Sequence, residues 1–207
     1  MSIGQVILGV QDLDVAAADC AALGLAVVDG GVHPGVGTAN RLVPLGDSYL
    51  ELLAVVDRGE AEGNLYGRSL LDTTAAGDRL VRWSVRSHAI EATAQRLGLE
   101  VTHRNRRRPD GSLLTWRSAG GELALELGWL PFFMQWDDDD QFPGLTPAVH
   151  PVGPCSLAWI ELATPDPERL ERWTDGEAGL PLRLVEGEPG LRAVAVATPD
   201  GEVVIRP

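Results

Sequence analysis

The sequence predicts an α+β fold of tandem βαβββ modules, two of them paired into a bowl and followed by a degraded third. Three observations lead there. One strand–helix–strand–strand–strand order recurs three times along the chain. Glycines fall at matching points behind the first two helices. The segments Gly46-Asp47-Ser48-Tyr49-Leu50-Glu51-Leu52 and Gly121-Glu122-Leu123-Ala124-Leu125-Glu126-Leu127 can be laid over one another. Such self-similarity marks a unit that cannot bury its apolar face alone.

In the first module, residues 3–10 read as a strand. Asp12 then caps an Ala-rich helix reaching Leu23, and Gly24 stops it. Residues 25–28 and 39–45 read as the second and third strands, Gly46-Asp47 as a turn, and residues 49–56 as the fourth strand. The second module repeats this with a strand at 80–86, a helix at 90–97 closed by Gly98, and strands at 99–103, 112–117 and 122–127. The third has a strand at 157–163, Pro165-Asp166 lying over Gln11-Asp12, a helix through Trp173, and short strands at 182–185, 193–197 and 203–206.

The chain thus divides into paired modules at 1–57 and 79–128, a connecting loop or lid at 129–153, and a third module at 154–207. Two modules side by side close a curved sheet around a cavity with helices outside. The concave face is the natural small-molecule site. The third module leaves a sheet face or edge to cover. It is expected to pack on the bowl of its own chain or to pair with a second copy in a homodimer.

Composition narrows the function. Apolar residues make up 44% and charged residues 23%, as in ordinary globular domains. The net charge of −13 argues against nucleic acid, whose phosphates need a basic face. No apolar run is long enough for a bilayer and no basic, apolar leader opens the chain, so a cytoplasmic protein without membrane contact is expected. Cys20 and Cys155 are two lone thiols without metal or disulfide spacing.

The opening Ile3-Gly4-Gln5-Val6-Ile7-Leu8-Gly9-Val10-Gln11-Asp12-Leu13-Asp14 resembles the first strand and helix start of the vicinal-oxygen-chelate, or glyoxalase-like, superfamily. His33-Pro34-Gly35-Val36-Gly37-Thr38-Ala39-Asn40-Arg41-Leu42 resembles its turn into the third strand, Tyr49-Leu50-Glu51-Leu52-Leu53 its fourth strand, and Leu130-Pro131-Phe132-Phe133-Met134-Gln135-Trp136-Asp137 its segment after the second module. The resemblance runs to about Pro151 and more weakly beyond. Its members include lyases, dioxygenases, epimerases and metal-free drug-binding proteins, so it implies a fold more firmly than a reaction.

The resemblance also implies a divalent ion on the bowl floor, with one ligand from the first and fourth strands of each module. The matching positions are Gln5 and Glu51 in module one and Glu126 in module two. The fourth falls at Arg82, or at Val81 after a slip of one residue. Three oxygen ligands and no histidine would favour loosely held Mg, Mn or Ca over Zn. Arg82 pointing inward would instead pair with a carboxylate and take the place of the ion.

Further candidates surround this set. His33, Thr38 and Asn40 flank a Gly-rich turn and suit a substrate's polar groups, although a turn histidine can equally face water. Trp136 and the pair Phe132-Phe133 would wall the cavity or anchor the segment on the core. Asp137 to Asp140 read as a solvated acidic loop. Arg104, Arg106, Arg107 and Arg108 before Pro109-Asp110-Gly111 read as a hairpin tip, with attraction of an anion as the alternative. His88 and His103 carry no motif.

Two functions follow. The first is a lyase- or isomerase-type enzyme acting on a carbonyl-bearing metabolite, with Glu51 or Glu126 as acid or base and a metal, if bound, polarising the carbonyl. The second is a metal-free protein that binds or sequesters a small molecule. The missing histidines favour the second, and the matched carboxylates the first.

Overall fold

Two βαβββ units meet edge to edge in a computed structural model that describes residues 2–107, 110–175 and 179–207. The first comprises β1 (Ser2–Gly9), α1 (Leu13–Ala22), β2 (Val28–His33), β3 (Thr38–Pro44) and β4 (Tyr49–Val55). Two connecting helices follow, α2 (Arg58–Glu62) and α3 (Leu65–Thr74). The second unit comprises β5 (Arg79–Arg86), α4 (Ile90–Leu97), β6 (Val101–Arg107), β7 (Leu113–Ala119), a helix α5 (Gly121–Leu127) and β8 (Phe132–Trp136). The strands close a barrel in the order β1-β4-β3-β2-β6-β7-β8-β5. The order within each half is the same, β1-β4-β3-β2 and β5-β8-β7-β6, and the halves join antiparallel along β1 and β5.

Local chemistry sets these elements. Asp12 accepts hydrogen bonds from the backbone N–H groups of Asp14 and Val15 and so caps α1. Gly98 ends α4 in the left-handed conformation that glycine adopts without strain. Alternation along β4 turns Tyr49, Glu51 and Leu53 into the barrel, while Leu50, Leu52 and Ala54 join the core under the outer helices. On β1, a bulge between Ile3 and Gln5 lets Ile3 join the outer core while Gln5 faces inward.

The fourth strand expected at 122–127 is a helix. Gly120 and Gly128, both left-handed, bracket α5. Leu123 and Leu127, one helical turn apart, pack on the outer core, and Ala124 is fully buried. The strand lies further on, at β8, inside the stretch expected to be a loop or lid. The rest of that stretch forms two short 3-10 turns whose Phe142 meets Tyr49 and Trp136 edge-on at 5.6 and 6.0 Å. The acidic run is partly paired: Asp139 accepts from Arg86 at 2.7 Å, and that hydrogen bond holds its carboxyl below the usual range.

The third unit comprises β9 (Ser156–Ala163), α6 (Pro167–Trp173), β10 (Leu182–Val185), β11 (Gly190–Thr198) and β12 (Gly201–Ile205). Its element order is βαβββ and Asp166 caps α6, but its sheet order is β10-β9-β11-β12. The first strand pairs with the second and third rather than with the fourth. Arg206 lies beyond an edge strand and pairs with Glu161 at 2.5 Å. Ile160, Leu162, Val194 and Val196 share one core with Val6, Trp83 and Val85, so this sheet covers the outer face of the β1–β5 seam. Trp173 fixes the contact, donating to the Pro131 carbonyl at 2.8 Å beside the Phe133 ring.

Cys20 and Cys155 are free, and burial pushes the Cys20 thiol up to about 11. Among the described residues, no helix is long and apolar enough to cross a membrane. Arg108 and Pro109 lie outside the described residues.

Candidate active site

A cavity of about 300 Å³ occupies the barrel interior, and Glu51 lines its wall with only 4% of its surface exposed. Burying a carboxylate is costly unless donors satisfy it. Here the Gln5 side-chain amide donates to Oε2 and the Asn40 amide donates to Oε1. Asn40 is itself oriented, because Arg106 Nη1 donates to its Oδ1 at 2.7 Å. With its oxygen held, the amide must turn its N–H₂ toward Glu51.

Gly30 makes room for this relay. A Cβ at Gly30 would collide with Asn40 Oδ1 and sit 2.7 Å from Arg106 Nη1. Gly30→Ala is therefore expected to break the Arg106–Asn40–Glu51 chain and lower ligand affinity or turnover at least tenfold, with a loss of about 1–3 kcal/mol in stability. Calorimetric binding and thermal melts check this; an alanine variant that works as well as the parent would show that the relay is dispensable.

His33 ends β2 with Nδ1 3.0 Å from Thr38 Oγ1. Burial lowers its pKa below 6.5; the nearby Glu51 opposes this, and Arg106 and Arg82 reinforce it. The folded state thus binds a proton at His33 less readily than the unfolded chain. Its contribution is complete above the unfolded pKa of about 6.5 and is lost as pH falls from there toward the folded value. Wild type should lose more melting temperature between pH 7.5 and 5.5 than His33→Gln; equal losses would remove His33 from the acid response.

The structure brings Gln5, His33, Thr38, Asn40, Glu51, Arg82 and Trp136 around this one cavity. Glu126 is not among them. It sits on the exposed face of α5, because the segment that carries it is helical. The wall that was to carry a second carboxylate is β8, which turns Phe132, Met134 and Trp136 inward. Trp136 belongs to that wall rather than to a lid, 5.1 Å from Trp116. Phe133 points the other way, into the core shared with the third unit.

Other lining residues were placed elsewhere, or not singled out, from the sequence. Tyr66 of α3 lies over the cavity, with the guanidinium carbons of Arg82 and Arg104 at 5.1 and 5.4 Å from its ring centre. His103, which carries no motif, and Arg104, expected at a hairpin tip, also line it, and Arg106 is buried. Arg104 and Arg106 alternate on a strand, which was the available signal for a shared face. Nothing in the stretch between the modules marked Tyr66.

A profile of the glyoxalase-like domain matches residues 6–179. The chain belongs to the glyoxalase-like family of the vicinal-oxygen-chelate superfamily. Among curated proteins none matches it significantly. Among solved structures it is similar to a hypothetical protein from Staphylococcus aureus, with a TM-score of 0.65 at 16% identity over 99% of this chain and 85% of the other. Methylmalonyl-CoA epimerase from Mycobacterium tuberculosis gives 0.45 at 18% identity over 65% and 85% of the two chains. A Mn(II)-bound glyoxalase from Novosphingobium aromaticivorans gives 0.48 at 13% over 98% and 81%. At these identities the likeness concerns the fold.

The donor set of this glyoxalase-like chain does not fit the superfamily's divalent ion. Among the described residues no three His, Cys, Asp or Glu side chains cluster. The first module offers Glu51 and the buried Gln5 Oε1, which has no hydrogen-bond partner. The second offers Arg82 level with Ile7 on β5, and apolar side chains on β8. One carboxylate, one amide oxygen and an inward guanidinium cannot supply the several oxygen ligands that a hard cation needs. The arginine's fixed charge also opposes a second cation.

Proposed function

We propose that this glyoxalase-like protein is a small-molecule enzyme of lyase or isomerase type, acting on a carbonyl-bearing metabolite with Glu51 as general base. The observation that carries the reading is the Gln5–Glu51–Asn40 arrangement. Among the described residues Glu51 is the one acidic side chain lining the cavity, and both its oxygens are oriented by neutral amides. A base so placed suits abstraction of a proton next to a carbonyl, where it contributes about 10²–10⁴ in rate.

His33, kept neutral by burial, is the group placed to hand a proton to the enol or enolate oxygen. Asn40 and Thr38 orient the substrate's polar atoms, and Trp116 and Trp136 pack on its apolar part. In this reading Arg82 supplies the positive charge that an ion supplies elsewhere.

The test is exchange in heavy water. The protein is incubated with a panel of 2-oxo and 2-hydroxy acids, and deuterium entry at the carbon beside the carbonyl is followed by proton NMR. Incorporation above the buffer rate supports the enzyme reading. The second reading is a binding protein, favoured by the paired tryptophans and the closed hydrogen-bond relay. Its mark is saturable binding of the same compounds without exchange.

A further inference from the structure

Several arginines of this acidic chain are paired with carboxylates. Arg41 pairs with Asp14 at 2.6 Å, Arg86 with Asp139 at 2.7 Å, Arg117 with Glu91 at 3.1 Å and Arg206 with Glu161 at 2.5 Å. Arg82 and Arg104 instead line the cavity. Among the described residues neither makes an ion pair, and both guanidiniums lie over one shared aromatic ring, that of Tyr66. Arg82 Nε is fully buried with no hydrogen-bond partner. The Phe132 ring, 5.9 Å away, adds only another apolar wall.

A buried guanidinium without a counter-ion is expensive. With 30 acidic residues against 17 basic ones, this chain had carboxylates to spare for pairing. Burial weakens the hold of Arg82 on its proton, and the charge of Arg104 adds to that, while Glu51 and Tyr66 oppose it. Glu51 favours the charged form of Arg82, but among the described residues no hydrogen bond or ion pair joins the two.

We infer that Arg82 and Arg104, set around the Tyr66 ring, form a subsite that seats the carboxylate of a small organic acid. Guanidinium donors match the two oxygens of a carboxylate, and the pair together repays the charge left unmatched in the free protein. The inference deepens the proposed function and rests on the same cavity being the working site.

Register then limits the size of the acid. Ile7 pairs with Glu51 on one side and with Arg82 on the other, so the two charged residues stand level across β1. Two strand spacings separate their backbones by about 10 Å. Both side chains reach inward from there. A carboxylate on Arg82 thus leaves a carbon one or two bonds away facing Glu51, which suits a short acid bearing a carbonyl near its carboxylate.

The probe is malonate, titrated calorimetrically into wild type, Arg82→Gln, Arg104→Gln, Glu51→Gln and a surface control, Arg172→Gln. Wild type and the control should bind one malonate per chain. Arg82→Gln should bind at least tenfold more weakly, and Arg104→Gln several-fold more weakly. Because Arg104 is exposed, its variant tests the subsite even if Arg82→Gln fails to fold. Failure of wild type to bind malonate, or equal affinity in the Arg104 variant, would overturn the inference. Inorganic phosphate is the second arm; tighter binding of phosphate than of malonate would overturn the carboxylate assignment in favour of a phosphate ester. Glu51→Gln removes a negative charge from the same cavity and should bind malonate more tightly than wild type. Retained binding with no deuterium exchange in wild type would defeat the enzyme reading and leave the subsite standing.

Discussion

Replacing Glu51 with glutamine should abolish deuterium exchange while leaving the fold in place. The substitution keeps the volume of the side chain and removes its charge and basicity. A rate loss of about 10²–10⁴ is expected for losing a general base. The neighbours make the variant informative. Gln5 and Asn40 both donate to the native carboxylate, and a glutamine can accept only through its single oxygen, so one amide must turn or lose its partner. That rearrangement costs about 1–3 kcal/mol, which a thermal melt would register as a modest shift. Exchange at the wild-type rate in a folded Glu51→Gln protein would remove Glu51 from the chemistry and shift attention to His33. Glu126→Gln serves as the contrast. It lies on the exposed face of α5, and its rate should match wild type.

The largest stability effect is expected at Trp173. This side chain is 7% exposed, donates to the Pro131 carbonyl at 2.8 Å and stacks at a tilt on Phe133, 6.1 Å away. It ties α6 of the third unit to the residues leading into β8. Arg96 strengthens the joint by donating to the carbonyls of Arg172 and Trp173. Trp173→Ala removes a buried aromatic and strands the Pro131 carbonyl, a loss of about 3–5 kcal/mol. For a chain of this length that lowers the melting temperature by roughly 10 °C. Because β8 carries Phe132, Met134 and Trp136 into the cavity, malonate affinity should fall with it. Differential scanning calorimetry checks the first effect; a shift under about 2 °C would mean that the third unit is held elsewhere.

Glu51 and Glu126 show what alternation can and cannot tell. Leu-Glu-Leu occurs in both modules. At Glu51 the strand reading was right, and a period of two was enough to put the carboxylate opposite its leucines. At Glu126 the same three letters belong to a helix. Gly-Glu-Leu-Ala-Leu-Glu-Leu satisfies a period of two through Leu123, Leu125 and Leu127, and a helical turn through Leu123 and Leu127. The left-handed glycines at 120 and 128 fit either reading, since both turns and helix ends use them. The choice fell to packing. Phe132–Trp136 buries larger inward side chains as the strand beside β5, and α5 buries Ala124 beside them and the leucine pair against the outer core.

The sequence by itself determined the recurring strand–helix order, the α+β class, the capped helix at Asp12 and the inward direction of Glu51. These rest on short-range rules: strand alternation, side-chain caps and glycine at helix ends. Tertiary structure alone decided the rest. It set the strand order of the third unit, which local pattern does not encode, because a four-residue β10 can pair with either edge of β9. It also brought Tyr66 from the connecting helices over Arg82 and Arg104, residues far apart in the chain. No spacing rule reaches across such a distance. The charge of this cavity therefore follows from how the modules close, with arginines gathered inside a chain whose net charge is −13.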